Sequence, residues 1–396
     1  MKDKALPEGW NKINITKVFT QISTTGKNIA TKDCLSVGKY PVIDQGAEYI
    51  SGYFNDETKV IPVENKVIVF GDHTRNFKLI DFDFIVGADG VKIFQPAKDI
   101  DPDFFYYQCL SLNLPNKGYH RHFRYLKECD FIYPSFSQQQ KLAKKFTALL
   151  SQVAEIKQRL EKIPVLLKTY RQSVLARAVN GELSAKWREE NGVSLESWSI
   201  STLKNLTTKI GSGSTPKGAE YLSEGVPFIR SLNIYTHFIK FDDLAFINDE
   251  QAQKLKNVVI EQGDLLLNIT GASIGRVNIT PKEFIGGRVN QHVAIIRSKL
   301  DKIQPHFLHI FFASPKIQKW INDENYGSTR QALTKGMLEE LKIAVPSLEE
   351  QNYITQAVEK HLNFANQLEA QVNAALERVN LMTQAILAKG FRGELI

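Results

Sequence analysis

The sequence predicts an α/β protein with an internal duplication: two globular α/β blocks, each followed by a long helix. One observation is a run of apolar residues that recur at alternating steps of four and three from Leu142 onward. The same register returns 212 residues later, from Ile354 onward. A second observation is that the flanking residues repeat at the same offset, since Tyr-Pro-Ser at 133–135 matches Val-Pro-Ser at 345–347. One constant offset over the whole length of a helix indicates duplication.

The alternating spacing predicts a coiled coil, because 3.5 residues per repeat keep one apolar stripe facing a partner helix. His361 is the one position that interrupts the second stripe. Matched length and register favour pairing of the two helices with each other, although each helix could instead pack on its own globular block. The predicted interface residues are Leu142, Phe146, Leu149, Val153, Ile156, Leu160, Ile163, Leu167, Ile354, Val358, Leu368, Val372, Val379, Met382 and Ile386.

The predicted domain organisation is a first globular block at 1–133, a long helix at 134–185, a second globular block at 186–345 and a long helix at 346–396. Both globular blocks are expected to contain short strands, because runs rich in Val, Ile and Phe are separated by glycines. These runs lie at 40–43, 66–70, 82–86 and 91–94, and again at 226–229, 265–269 and 292–296. The helices have kept their pattern while the globular blocks have diverged, which indicates one frame that carries two different binding surfaces.

Composition narrows the class of protein without naming its function. The net charge of +7 and the pI near 9.0 permit a polyanionic partner but do not require one. The sequence contains no run of about 18 apolar residues, so it predicts no membrane span. The first residues also lack the apolar core of a signal peptide. Cys34, Cys109 and Cys129 are too widely spaced for a disulfide framework or a zinc site, so we expect a reducing, cytoplasmic location.

The motifs of common catalytic sites are missing from the sequence. There is no Gly-x-x-x-x-Gly-Lys-Ser/Thr loop for a nucleoside triphosphate and no Asp/Asn-Pro-Pro-aromatic motif for adenine methylation. Residues 271–276 resemble a phosphate-binding loop but lack its lysine. A lone pair of glycines at this spacing more often forms a simple turn than a phosphate site. The nuclease-like set Asp44, Glu57 and Lys59 is expected by chance, since Glu-x-Lys recurs elsewhere. The sequence therefore predicts a non-catalytic chain with no metal site and no cofactor of its own.

Polar clusters in the predicted turns are better explained as contacts to DNA, although each single residue could instead belong to a solvated loop. Arg suits guanine, Asn and Gln suit adenine, and small hydroxyl side chains reach phosphates. In the first block the predicted contacts are His73, Thr74, Arg75, Tyr119, His120, Arg121, His122 and Arg124. In the second block they are Ser212, Ser214, Thr215, Arg230, Asn233, Thr270, Ser273, Arg276, Asn290, Gln291, His292, Thr329, Arg330 and Gln331.

Short distinctive motifs lie at 6–10, 67–75, 86–91, 118–122, 271–275, 289–292, 346–351 and 388–395. Over nearly the whole chain these motifs resemble those of one known family, the specificity subunits of type I restriction-modification enzymes. The first helix departs from the pattern, since Phe-Ser-Gln-Gln-Gln at 136–140 stands where the second helix has Leu-Glu-Glu-Gln. The substitution keeps Gln139 aligned with Gln351.

The resemblance implies two target-recognition domains separated by two long conserved helices that form an antiparallel coiled coil with pseudo-two-fold symmetry. Residues 9–133 would read one half of a bipartite target in double-stranded DNA, residues 198–345 the other half, and the coiled coil would set the spacer. The resemblance also implies docking of two DNA-methylation subunits and, through them, restriction subunits. S-adenosylmethionine, ATP and magnesium would then belong to those partners.

Two other functions compete with this interpretation. One is a non-catalytic coiled-coil scaffold whose globular ends bind proteins. The other is a self-contained methyltransferase or nuclease, which would need a cofactor or metal site that the sequence does not provide.

Overall fold

The computed structural model describes residues 6–87, 89–118, 120–216, 221–325 and 332–395. The chain divides into two compact units, one formed by residues 1–161 with 373–396 and the other by residues 162–372. The division falls inside both long helices, so each unit holds one globular block and the helix segments beside it. The boundaries of the four predicted blocks stay a prediction.

The part of the first unit that precedes the other unit in sequence contains ten short strands and three α-helices among its described residues, and the last of these helices continues into the other unit. The strands are β1 (Asn11–Asn14), β2 (Phe19–Ile22), β3 (Tyr40–Ile43), β4 (Gly52–Phe54), β5 (Val60–Ile61), β6 (Val67–Gly71), β7 (Phe77–Ile80), β8 (Phe84–Val86), β9 (Val91–Pro96) and β10 (Asp130–Tyr133). The helices are α1 (Pro102–Ser111), α2 (Phe123–Lys127) and α3 (Phe136–Val179).

Three sheets organise the first unit, in the orders β2-β9-β6-β7, β4-β3-β8-β5 and β1-β10. Only β3 and β8 pair in parallel among these strands. Strand β6 is buried along its whole length because its sequence, Val-Ile-Val-Phe-Gly, suits a central strand that is covered on both faces. Helix α1 begins with Pro102 and is capped by Asp101, whose carboxylate accepts a hydrogen bond from Phe104 N at 2.9 Å. Phe104 and Phe105 then fill the core.

The second unit is built from elements that follow in the same general order. They are α4 (Ala185–Glu190), β11 (Ser199–Thr202), α5 (Leu203–Leu206), β12 (Thr207–Ser212), β13 (Val226–Ile229), β14 (Ala245–Ile247), α6 (Asp249–Lys254), β15 (Leu265–Asn268), β16 (Val277–Ile279), β17 (Arg288–Val289), β18 (Val293–Ser298), α7 (Pro305–Ala313), α8 (Pro315–Asn325), α9 (Lys335–Glu340), β19 (Lys342–Val345) and α10 (Leu348–Gly390).

The sheets of the second unit repeat those of the first. The order β12-β18-β15-β16 corresponds to β2-β9-β6-β7, and the pair β11-β19 corresponds to β1-β10. The sheet β14-β13-β17 again contains one parallel pair, β13 with β17, as β3 pairs with β8. Helix α7 begins with a proline, as α1 does. The structure therefore confirms the predicted α/β fold with an internal duplication.

The predicted strands and long helices are confirmed as well. Residues 40–43 and 226–229 coincide with β3 and β13, and the other predicted runs overlap β6, β8, β9, β15 and β18. Helices α3 and α10 lie where the apolar register predicts them, and α3 continues through Pro164. None of the helices in the described residues combines the length and the apolar character that crossing a membrane needs.

Helices α3 and α10 contact each other within each unit, in antiparallel fashion. In the first unit Phe146, near the start of α3, packs on Phe391, just past the end of α10, with ring centroids 5.2 Å apart. In the second unit the Tyr170 hydroxyl lies 2.6 Å from Nδ1 of His361. The residue that interrupts the apolar stripe therefore has a polar partner on the facing helix.

Most of the predicted interface positions are buried or half-buried. Leu142, Phe146, Val153, Leu167, Ile354, Val358, Val372 and Val379 are buried, and Leu149, Leu160, Ile163, Leu368 and Ile386 are half-buried. Ile156 and Met382 remain 44% and 41% exposed. A pattern of 3.5 residues drifts by about 20° per heptad around a straight helix of 3.6 residues per turn, which places some members at the margin of the stripe.

Candidate nucleic-acid interface

In each unit, polar loops meet at the carboxyl ends of the parallel strand pair. The first loop face comprises residues 44–46, 72–76, 87, 89–90 and 120–124, and the second comprises 212–215, 230–233, 268–276 and 290–292. The loops are joined by equivalent hydrogen bonds, Gly87 N to Ile43 O at 2.9 Å and Asn290 N to Ile229 O at 3.1 Å. In α/β sheets, ligands bind outside the carboxyl ends of strands.

Asp72 brings together the two clusters that the sequence predicts in the first block. Its carbonyl accepts hydrogen bonds from His122 N at 2.8 Å and His122 Nδ1 at 2.9 Å. Its carboxylate accepts one from Phe123 N at 2.7 Å. Asp72 is only 2% exposed, so these bonds are shielded from water. The turn that holds His73, Thr74 and Arg75 and the segment 120–124 therefore lie side by side.

Gln45 joins the same turn to the loop that follows β8, and sequence reasoning missed it. Its side-chain oxygen accepts from His73 N at 3.2 Å, and its amide nitrogen donates to Asp89 O at 3.2 Å. Its main-chain carbonyl accepts from the Thr74 hydroxyl at 2.5 Å. Its position in the sequence could have indicated it, because Gln45 comes two residues after β3 and Ser231 comes two residues after the equivalent strand β13.

Arg75 adopts a left-handed backbone conformation with φ of +65°. Its N–H donates to Gly71 O at 2.7 Å and closes the turn, and its guanidinium donates to Leu114 O at 3.2 Å. Residues other than glycine, asparagine and aspartate rarely adopt this conformation, which costs on the order of 1 kcal/mol. Such strain concentrates at functional sites, in agreement with a contact role for this turn.

Cations and aromatic rings alternate along residues 120–127. His120, Arg121 and Arg124 are exposed. The Arg124 guanidinium lies 4.6 Å from the centre of the Tyr125 ring. Lys127 lies 4.7 Å from the centre of the Phe123 ring, another pair that the prediction did not include. Such a surface offers positive charge to phosphates and flat rings to bases or sugars.

His122 and Asn233 are corrections, since both are completely buried. His122 Nδ1 donates to Asp72 O, and its Nε2 accepts from Lys117 N at 3.3 Å. Asn233 accepts from Arg230 N at 3.0 Å and donates to Lys240 O at 3.0 Å. Their polar atoms are used to hold loops, so neither side chain has surface with which to contact DNA.

A chain of hydrogen bonds joins three loops of the second face. The Thr215 hydroxyl donates to Gln291 Oε1 at 2.5 Å, and the Gln291 amide lies 3.1 Å from His292 Nε2. His292 Nδ1 in turn lies 2.5 Å from the Thr270 hydroxyl. Asn290 is 6% exposed and anchors this chain, because its side-chain oxygen accepts from His292 N at 3.0 Å. The residues predicted after β12, β15 and β17 are therefore neighbours.

Arginines of the second face stack on tyrosines that sequence reasoning missed. The Arg276 guanidinium lies 4.3 Å from the centre of the Tyr235 ring, and that of Arg230 lies 4.8 Å from the Tyr221 ring. Arg276 and Tyr235 line a surface groove together with Ser231, Leu232, Thr270, Gly271, Ala272, Ser273 and His292. Ser212, the last residue of β12, and Ser214 are exposed. Stacking restrains both guanidinium groups, and Nη2 of Arg230 also donates to Asp243 O at 2.5 Å.

A half-buried ion pair lies beneath the first face. Asp44 Oδ1 lies 3.5 Å from Lys78 Nζ, which also donates to Asp44 O at 2.9 Å. Burial raises the pKa of Asp44, but hydrogen bonds and the charge of Lys78 outweigh it, so the pKa is lowered overall. Burial also lowers the pKa of Lys78, against the charge of Asp44. The pair holds the loop after β3 in place.

Clusters of metal-ligating side chains are absent from the described part of the chain. Within 6–87, 89–118, 120–216, 221–325 and 332–395, no three His, Cys, Asp or Glu side chains are grouped so that they could hold a metal ion. The predicted contacts Tyr119, Thr329, Arg330 and Gln331 lie outside these described residues.

Comparison with known proteins identifies the family. A family model described as the type I restriction modification DNA specificity domain matches residues 7–165 and 196–378. The chain is 35% identical over 274 residues to the type I restriction enzyme EcoBI specificity subunit of Escherichia coli, covering 66% of this chain and 57% of that protein. It is 32% identical over 269 residues to the EcoKI specificity subunit of Escherichia coli strain K12, with the same coverages of 66% and 57%.

Solved structures share the fold. The HsdS subunit from Thermoanaerobacter tengcongensis matches with a TM-score of 0.61 at 17% identity, over 99% of each chain. A chain from structural work on complex assembly and conformational transition of the type I R-M system matches with a TM-score of 0.70 at 18% identity, over 99% of this chain and 100% of that one. The match to the Escherichia coli relatives spans little more than half of their length. With its repeated sheets and the family model matched on both halves, the chain belongs to the family of type I restriction enzyme specificity subunits.

Proposed function

We propose that each recognition domain of this specificity subunit reads one half of a bipartite target in double-stranded DNA. The observation that carries the proposal is the repetition of the loop faces: both units gather polar loops at the carboxyl ends of the same strands. Residues 9–133 would read one half-site and residues 198–345 the other. Because the two faces carry different side chains, the two half-sites would differ in sequence.

The chemistry of the faces supports duplex DNA as the ligand. Arg121 and Arg124 are exposed, and Arg124 lies against the Tyr125 ring, so this segment offers positive charge to phosphates and a flat ring to bases. Arg276 is held by stacking next to Thr270 and Ser273. Arginine with two donors directed at one base edge is the commonest specific contact to guanine, and small hydroxyl groups suit phosphates.

The coiled coil is proposed to set the length of the unread spacer. Helices α3 and α10 have 44 and 43 residues. At about 1.5 Å per residue, removing one heptad shortens a helix by roughly 10 Å, about a third of a DNA turn. Deleting seven residues from both helices in register should therefore shorten the recognised spacer. An unchanged spacer in the deletion variant would contradict the proposal that the coiled coil sets the spacer length.

The subunit itself is proposed to do no chemistry. Its internal duplication would offer equivalent surfaces to two identical DNA-methylation subunits, since near two-fold symmetry suits a pair of like partners. Restriction subunits would join through them. S-adenosylmethionine would be bound by the methylation subunits, and ATP with magnesium by the restriction subunits. The complex would act on DNA in the cytoplasm.

The test is a genome-wide map of N6-methyladenine in cells that express the cognate methylation subunit with and without this chain. A bipartite motif that disappears without the chain is the expected result. Exchange of residues 9–133 for those of another family member should then alter one half of the motif and leave the other half unchanged. A map that does not depend on the chain would contradict the proposal.

A non-catalytic scaffold whose globular ends bind proteins is the alternative function. It predicts no salt-dependent binding of the purified chain to duplex DNA. Phosphate contacts by Lys and Arg release counterions, so the proposed function predicts affinity that falls steeply with salt concentration. A self-contained methyltransferase would instead modify DNA without partners, which an assay of the purified chain would reveal.

A further inference from the structure

Three carboxylates belong to the first loop face, and the structure uses two of them internally. Asp44 pairs with Lys78 at 3.5 Å and accepts from Gly46 N at 2.8 Å. Asp72 is buried and accepts from Phe123 N at 2.7 Å. Asp89 is different, because it is exposed. Within the described residues no cation forms an ion pair with it, and its one side-chain bond comes from a neutral amide.

Asp89 is held in a defined position by neighbours on two other segments. Asn28 Nδ2 donates to Asp89 Oδ1 at 2.9 Å, and Asn28 is itself fixed by a parallel bridge to Val86 at the end of β8. Gln45 Nε2 donates to the main-chain carbonyl of Asp89 at 3.2 Å. One carboxylate oxygen is thus anchored, and the other can accept a further hydrogen bond.

An exposed carboxylate is costly on a surface that meets DNA, because it repels the phosphates that Arg121 and Arg124 would attract. A carboxylate accepts hydrogen bonds and cannot donate them. On a base edge it therefore fits an exocyclic amino group, such as N4 of cytosine or N6 of adenine. It is repelled by the paired acceptors O6 and N7 of guanine and by O4 of thymine.

We propose that Asp89 is a specificity-determining residue of the first recognition domain that selects a base with an exocyclic amino group in the major groove. The inference rests on the proposed function and deepens it. Asp89 acts by accepting a hydrogen bond from cytosine N4 or adenine N6, and by excluding guanine and thymine at that position. Asp89 lies in the motif at 86–91 but was not among the predicted DNA contacts.

The second loop face provides the internal contrast. The loop that follows β17 there, Asn290-Gln291-His292, corresponds to the loop that follows β8 and contains no carboxylate. The groove beside it is lined by Arg276 with hydroxyl groups and a histidine, without Asp or Glu. Recognition of a base by a carboxylate, which accepts hydrogen bonds and cannot donate them, is therefore expected at the first half-site and not at the second.

The experiment compares base preferences of the full chain in complex with its cognate methylation subunit. Duplexes vary at each position of both half-sites, and the complex selects among them. In the wild type, one position of the first half-site should favour cytosine or adenine. Asp89→Ala should reduce that discrimination by about 5-fold to 150-fold, the range of one specific base contact, and leave the second half-site unchanged.

Base analogues test the contact directly. Replacing the preferred base with an analogue that lacks only the amino group, purine for adenine or 2-pyrimidinone for cytosine, should weaken binding of the wild type and not that of D89A. Asp89→Asn keeps the size of the side chain and adds a donor, so it should shift preference towards adenine, which offers a donor and an acceptor together.

The control variant is Asp81→Ala. Asp81 is also exposed, but it lies before β8, at the opposite end of the strand from Asp89. D81A should change no base preference, and circular dichroism verifies that each variant is folded. Unchanged preferences in D89A and D89N, with higher affinity for all DNA, would overturn the proposal and make Asp89 a merely repulsive charge. Wild-type complex without any bipartite preference would overturn the proposed function as well.

Discussion

Gln139 of α3 and Gln351 of α10 occupy the same place in their respective units. Gln139 Oε1 accepts from Asp101 N at 2.9 Å, and Gln351 Oε1 accepts from Gln304 N at 2.7 Å. Asp101 and Gln304 are the capping residues of α1 and α7. The amide nitrogens donate in the same way, to the carbonyls of Asp99, Pro134, Lys302 and Pro346 at 3.2, 3.1, 3.1 and 2.9 Å. Each glutamine thereby ties a long helix to its recognition domain.

Replacing either glutamine with leucine should destabilise its unit to a similar degree. Gln139→Leu and Gln351→Leu each leave a half-buried helix-capping N–H without its acceptor, at a cost of about 1–3 kcal/mol. Urea unfolding measures the change. Gln140→Leu is the control, because Gln140 is exposed on the next position of α3 and should change stability by less than about 0.5 kcal/mol. An unchanged free energy of unfolding in Q139L or Q351L would show that the hydrogen bonds of that glutamine do not stabilise its unit.

Gly390→Ala should destabilise the first unit, although alanine is normally the better helix former by about 1 kcal/mol. A Cβ at Gly390 would lie 2.2 Å from Cζ of Phe146, whose ring is fully buried. Overpacking of this kind costs about 1–3 kcal/mol. Thermal unfolding measures it, and Phe146→Leu in the G390A background should recover part of the loss.

Gly336→Ala supplies the matched control for that prediction. Gly336 lies in α9, and nothing would lie within 4 Å of an added Cβ there. G336A should therefore raise stability, by about 0.5–1 kcal/mol. If both alanine variants shift the unfolding midpoint in the same direction, the close packing of Gly390 against Phe146 does not decide the outcome.

The buried pair of Arg188 with Glu350 should be essential to the second unit. Arg188 Nη1 lies 2.6 Å from Glu350 Oε1, and their side chains are 9% and 1% exposed. Trp198 Nε1 donates to the other carboxylate oxygen at 2.9 Å. Glu350→Gln should cost about 3–5 kcal/mol, because it leaves a buried guanidinium without a counter-charge. Removing both charges with Arg188→Met and E350Q should cost less than E350Q alone.

An exposed ion pair tests whether burial is the reason for the large cost expected of E350Q. Glu250 and Lys254 lie 2.8 Å apart with side chains 79% and 72% exposed. Glu250→Gln should change the free energy of unfolding by less than about 1 kcal/mol. Equal effects of E250Q and E350Q in chemical denaturation would contradict the role given to the buried network.

Acid should destabilise the second unit through His309. Burial lowers the pKa of His309 from 6.5 to about 4, and the bond from its Nε2 to Val277 O, at 3.3 Å, only partly opposes this. An unfolded chain takes up the proton near pH 6.5, and the folded chain takes it up only near pH 4. The unfolded state therefore binds more protons between these values, so stability falls as pH decreases, by on the order of 3 kcal/mol.

His309→Gln separates this residue from other acid effects. Glutamine keeps a donor for Val277 O and cannot titrate, so H309Q should resemble the wild type above pH 7 and lose less stability between pH 6.5 and 4. Denaturant unfolding at a series of pH values measures the slope. An identical slope in both proteins would assign the acid effect to other groups.

Arg121 and Arg124 should affect the first half-site only. Both are exposed on the first loop face. If Arg121 contacts a base, Arg121→Ala should relax selection at one position of that half-site, by about 1–3 kcal/mol. If it contacts a phosphate, R121A should weaken binding to all sequences and reduce the salt dependence by about one unit of slope. Titrations at several salt concentrations with both half-sites varied distinguish these outcomes, and an altered second half-site would contradict the assignment.

Features that depend on local spacing could be predicted from the amino-acid sequence. The 3–4 apolar register predicts α3 and α10, and strand runs such as 40–43 and 226–229 coincide with β3 and β13. The constant offset between the halves predicts the duplication that the sheet orders confirm. Periodicity and repetition can be read from the chain because each is set by residues close together in sequence or by direct comparison of two segments.

Which polar residues face solvent and which hold the fold together became visible only in the folded chain. Asp72 and His122 are 50 positions apart, yet their hydrogen bond unites two clusters and buries one predicted contact. Gln45 and Tyr235 carry no motif and become part of the faces through neighbours supplied by other strands. Burial and hydrogen bonding of a side chain depend on distant segments that the fold brings to it. A histidine that anchors a loop and one that faces DNA therefore look alike in sequence.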